Sequence, residues 1–70
     1  MSYRPIRWAA LETGDSVRLR PKRAPGPRVE TSVAQLLERD RADGLGFVDE
    51  AGDTYRQYYY DVEIYTPPAR

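Results

Sequence analysis

Apolar and polar residues alternate in two stretches of this chain, and a period of two is the mark of a strand that buries one face. The first, Ser16-Val17-Arg18-Leu19-Arg20, follows the turn signal Thr13-Gly14-Asp15 and sets Val17 and Leu19 against a basic outer row. The second, Asp61-Val62-Glu63-Ile64-Tyr65, turns Val62 and Ile64 inward and stops at Pro67-Pro68, which cannot donate to a ladder. Between them, Leu45-Gly46-Phe47-Val48 and Thr54-Tyr55-Arg56-Gln57 flank Asp49-Glu50-Ala51-Gly52-Asp53. That acidic, glycine-bearing segment predicts a hairpin with a loop of about five residues.

Residues 29–43 carry two conflicting patterns. As a strand, Val29, Thr31, Val33, Gln35 and Leu37 line one face, and Arg39-Asp40-Arg41-Ala42-Asp43-Gly44 makes the following turn. As a helix, Ser32 is the N-cap with Gln35 completing a capping box, Val33, Leu36 and Leu37 form the stripe, and Gly44 is the stop. Local chemistry supports the helix, whereas the neighbouring strands need partners, which supports the strand. The expectation is therefore an all-β chain, with an α+β chain carrying one helix at about 33–43 as the alternative.

Length bounds what such a chain can do. Seventy residues make one domain with a small core. With no cysteine, neither a disulfide framework nor a thiolate metal site can hold it together, and with no histidine the usual general base and zinc ligand are missing. Among the motifs there is no phosphate-cradling glycine loop, nucleophile elbow or metal-ligand cluster, so no enzyme, metal or cofactor is expected. Asp49, Glu50 and Asp53 do not match a calcium-loop spacing and read as a solvated turn. No apolar run is long enough for a signal peptide or a membrane span, which predicts a cytoplasmic protein without membrane contact.

Eleven basic and eleven acidic side chains cancel overall, but unevenly along the chain. Residues 1–30 hold seven basic against three acidic, and residues 31–70 four against eight, which predicts a basic and an acidic face. The basic half contains Pro21-Lys22-Arg23-Ala24-Pro25-Gly26-Pro27-Arg28, whose prolines and glycine exclude a helix or central strand and predict an extended loop.

The opening Gly14-Asp15-Ser16-Val17-Arg18-Leu19 and the closing Tyr60-Asp61-Val62-Glu63-Ile64, the latter entered through one tight helical turn, resemble the first and last strands of SH3-like small β-barrels. The resemblance implies a five-stranded barrel over residues 13–66, preceded by an extension at 1–12 and followed by a tail at 67–70. The aromatic first-strand motif and mid-chain tryptophan of peptide-binding SH3 domains are missing, since the only tryptophan is Trp8. Proline-peptide recognition is thus not implied. The glycine-punctuated turn of nucleic-acid-associated KOW relatives is likewise replaced by the proline-rich loop, and a fold type alone does not give function.

Two surfaces stand out. Arg18, Arg20, Lys22, Arg23 and Arg28 offer guanidinium forks and an ammonium suited to a nucleic-acid backbone, with a solvated loop neutralised by the acidic half as the plainer reading. Trp8, Tyr55, Tyr59 and Tyr65 offer flat bodies with polar tips for base stacking or a protein interface, although several tyrosines must serve the core of a chain with one phenylalanine. Tyr65 is the tyrosine expected to be most exposed. The sequence therefore predicts a non-enzymatic binding module whose partner is nucleic acid or, as the rival, a protein met through the tyrosine surface. A homo-oligomer formed through strand edges is the third reading.

Overall fold

Backbone pairing resolves the segment that local chemistry leaves open. In the computed structural model, which describes residues 2–67, Val29–Asp40 is one strand of 12 residues. Numbered in chain order, the strands are β1 (Ser2–Pro5), β2 (Ser16–Pro21), β3 (Val29–Asp40), β4 (Gly44–Asp49), β5 (Thr54–Arg56) and β6 (Tyr60–Thr66), with a 3-10 turn at Trp8–Ala10. They form one antiparallel sheet in the order β1-β6-β2-β3-β4-β5.

The helix alternative fails because β3 has neighbours on both sides. Its first residues pair with β2, from Val29 opposite Leu19 to Ser32 opposite Ser16, and its later ones with β4, including Leu36 opposite Phe47. A helix over 33–43 would bury one narrow stripe and leave bare the N–H and C=O row that β4 turns toward β3, a cost that capping at Ser32 could not offset. The ladder slips between Val33 and Gln35 and again between Leu37 and Asp40. Such irregularities bend a strand and raise its twist, which lets one strand serve two ladders. Gly44 ends a turn rather than a helix, at φ +79°.

The all-β expectation holds, but the strand count is six rather than five and the sheet is not closed. The sixth strand comes from Ser2–Pro5, which pairs with β6 from Ser2 opposite Thr66 to Pro5 opposite Glu63. Closure fails because β5 has only 3 residues and the chain leaves it through the turn at 57–59, so no β5–β6 ladder forms among the described residues. The two strands instead touch through Tyr55 and Tyr60, whose rings meet edge to face at 5.3 Å. The tail assigned to 67–70 lies, beyond Pro67, outside the described residues.

Val17, Leu19, Val33 and Phe47 are fully buried, and Leu11, Tyr55 and Val62 complete the core. Phe47 sits between Trp8 at 5.8 Å and Tyr55 at 5.6 Å. Ile6 and Trp8 pack against this cluster from the segment ahead of β2. Gly46 is buried beside β5, where an added Cβ would lie 2.7 Å from the Tyr55 carbonyl oxygen and 2.6 Å from Arg56 Cδ. Arg56 can swing away, but the backbone cannot without parting β4 from β5. Gly46→Ala should therefore cost about 1–3 kcal/mol, read as a lower urea midpoint.

Asp49 departs from the solvated turn that its sequence neighbours suggest. Glu50 and Asp53 are exposed, whereas Asp49 is buried. One carboxylate oxygen accepts from the Ala51 and Asp53 N–H groups and the other from the Thr31 hydroxyl, tying the hairpin loop to β3. Burial raises its pKa, but these hydrogen bonds outweigh that and hold it below the ordinary carboxylate value. The N–H groups of Asp43 and Ala42 lower Asp40, and the hydrogen bond from Arg18 lowers Glu63. The unfolded chain therefore binds protons more tightly at these groups, so their contribution is complete above about pH 5 and is lost as pH falls through their folded-state values. Melting curves should give a Tm insensitive to pH between about 6 and 8 and falling below about 4. Asp49→Asn should flatten that fall, and a Tm that climbs on acidification would contradict the assignment.

Candidate nucleic-acid interface

Alternation on β2 sends Val17 and Leu19 into the core and Arg18 and Arg20 outward. The outward arginines then meet the acidic residues of β6, because the register sets Arg18 opposite Glu63 and Arg20 opposite Asp61. Arg18 Nε donates to Glu63 Oε1 at 2.9 Å, and its guanidinium lies 4.4 Å from the Tyr3 ring centre. Arg18 is thus engaged in holding β1, β2 and β6 together. Arg28 is exposed at the far end of the loop and lines neither groove described below.

The other basic residues gather around the turn at 57–59. Tyr59 N–H donates to the Arg56 carbonyl, the i to i+3 bond that turns the chain from β5 into β6. Tyr58 N–H donates to the Asp43 carbonyl at 3.0 Å, while Lys22 N–H donates to the Tyr59 carbonyl at 2.9 Å. One turn therefore clips the loop after β2 to the turn after β3. Arg23 Nε donates to the Tyr58 carbonyl, and its guanidinium covers the Tyr58 ring at 4.0 Å. Across from them, Asp40 Oδ2 accepts from the Ala42 and Asp43 N–H groups and shapes the β3–β4 turn that carries Arg39 and Arg41.

Lys22, Arg23, Arg39 and Arg41 consequently line one groove of about 550 Å³, with Tyr58 on its wall. Its carboxylates are Asp40 and Asp43, of which Asp40 is turned to backbone N–H groups. A second groove, of about 590 Å³, shares Lys22, Arg39 and Gln57 with the first and runs to Arg7, Trp8 and Arg20. It lies where β1 stops at Pro5 and covers β6 only from Glu63 onward. Asp61, Val62 and Glu63 form its β6 wall. Together the grooves collect six cations against four carboxylates in a chain of zero net charge. Lys22 Nζ is 3.9 Å from Asp61 Oδ1, an exposed pair too weak to take the ammonium out of use.

The aromatic residues divide differently from the sequence expectation. Tyr55 is a core residue, and Tyr65 is half-buried because β1 adds a strand beyond β6 and places Tyr3 edge-on at 5.6 Å. The exposed tyrosines are Tyr58 at 42% and Tyr59 at 44%, edge to face with each other at 5.0 Å. Trp8 is half-buried, with its indole against Phe47 and part of its surface in the larger groove.

Sequence reasoning includes Trp8, Arg20, Lys22 and Arg23 in this surface and misses Arg7, Arg39 and Arg41. The alternating charges of Arg39-Asp40-Arg41 were a signal, since two arginines flanking a turn-forming aspartate project from the tip. Their meeting with Lys22 depends on the 57–59 turn, which composition does not reveal. No protein-family model, curated protein or solved structure matches this chain.

Proposed function

We propose that this protein is a non-enzymatic module that grips the sugar–phosphate backbone of nucleic acid through the joined grooves around the 57–59 turn. The observation that carries this reading is the convergence of Lys22, Arg23, Arg39 and Arg41 from two separate segments on one concave surface. Guanidinium and ammonium groups so placed suit phosphates, with affinity that falls as salt rises. The site differs from the basic strand and loop named by sequence alone: Arg18 is held by Glu63, Arg28 stands apart, and Arg39 and Arg41 join. We also regard the sheet as an opened SH3-like barrel, supported by the run β6-β2-β3-β4-β5 with β1 added at its edge.

A protein-interaction module is the second reading, favoured by the adjoining exposed rings of Tyr58 and Tyr59. An amide NMR titration with a mixed-sequence duplex and then a single strand, at about 50 and 200 mM salt, separates the two. Salt-sensitive shifts at residues 20–23, 39–43 and 57–59 are the expected result. Silence at both salt concentrations would overturn nucleic-acid binding and leave the tyrosine pair as the working site.

A further inference from the structure

We infer that the nucleic acid taken by this surface is single-stranded, with its phosphates on the cations around Tyr58 and one unstacked base lying on Trp8 in the larger groove. The inference rests on the backbone-binding reading above and adds the form of the ligand. Three features of the larger groove carry it. It brings Trp8, with Ile6 and Leu45, into a lining that is otherwise mostly polar, and it is of a size that holds small ligands, about 590 Å³. Its β6 wall carries Asp61, an exposed carboxylate able to accept a hydrogen bond from the N–H edge of a base, whereas Glu63 beside it is bonded to Arg18. It opens directly into the cationic groove through Lys22, Arg39 and Gln57.

Each groove carries four cations against two carboxylates, so phosphates can lie along both, and what the larger groove adds is the indole of Trp8, on which a base fits. In a duplex the bases are paired and stacked inside and cannot reach that indole without being flipped out, whereas a single strand presents its bases freely to aromatic side chains. Lys22 and Arg39, shared by the two grooves, would hold the phosphates flanking the inserted nucleotide.

Trp8 is the only tryptophan, so its fluorescence reports this stacking in the unaltered protein. The probes are a labelled mixed-sequence single strand of about 12 nucleotides and the matching duplex, followed by anisotropy and by Trp8 emission. The single strand should bind at least about tenfold more tightly than the duplex and quench Trp8, while the duplex leaves the emission unchanged. Trp8→Leu should weaken the single strand about tenfold and the duplex by much less. Equal binding of both probes with unchanged Trp8 emission would overturn the inference and spare the backbone-binding reading. An equal loss for both probes in Trp8→Leu would also overturn it, assigning Trp8 to packing alone. Binding of neither probe would remove the backbone reading and the inference with it.

Discussion

Phe47→Ala should lower the Tm by about 12–40 °C. Phe47 has no exposed surface and is the ring that joins Trp8 to Tyr55. Truncating a buried phenylalanine costs about 3–5 kcal/mol, the removed area and the cavity both contributing. A domain of this size has about 4–10 kcal/mol in total, so the loss takes about half of the margin. Collapse around the gap is limited on one side by the paired backbones of β4 and β5, and on the other by Trp8, which follows the rigid Pro5. Phe47→Leu keeps most of the volume and should cost under about 2 kcal/mol. Urea titrations followed by far-UV circular dichroism check both; a Phe47→Ala variant melting within a few degrees of the parent would show that the core does not centre on this ring.

Reversing Lys22 and Arg39 together to glutamate should lower affinity for a single strand by at least about 100-fold at about 50 mM salt. These are the cations common to both grooves, so each reversal removes an attraction and adds a repulsion along the whole path. The salt dependence should shrink as well, by about 0.7 in the log–log slope for each phosphate that is no longer neutralised. Both side chains are exposed, so Tm should hold within a few degrees. Arg28→Glu serves as the control: it changes net charge but touches neither groove, and should alter affinity by less than about twofold. Equal losses from Arg28→Glu and from a single reversal at Lys22 would mean that diffuse charge, not the grooves, governs binding.

Much of the architecture is legible because alternation survives in its strands. Val17 and Leu19, and later Val62, occupy the buried positions that period two assigns them, and the hairpin from Leu45 to Gln57 forms around an acidic turn. β3 is less legible, since Ser32, Gln35 and Gly44 mimic helix punctuation while the slips in its ladder blur the alternation. β1 gives almost no signal: Ser2-Tyr3-Arg4-Pro5 is short, polar and ends in proline, and only the open edge of β6 recruits it. The site is read in part for the same reason. Lys22 and Arg23 announce themselves as a charge run, whereas their proximity to Arg39 and Arg41 is created by two backbone hydrogen bonds of the 57–59 turn. Exposure of Tyr65 is misjudged because β1 covers that end of β6, a tertiary event beyond local pattern.

The long loop between β2 and β3 joins segments that already hold one another by other means. On one side of it lie β1 and β2, on the other β3 to β6, and three ladders cross between the two sets: β1 with β6, β2 with β6, and β2 with β3. The peptide link across Ala24–Pro27 is thus topologically redundant. Interrupting it yields two fragments, one keeping Val17 and Leu19 and the other Val33, Phe47 and Val62, so that each completes the core only with the other. The molecule is in this respect a split protein awaiting a cut, and its reassembly would bring Lys22 and Arg39 back together from separate chains.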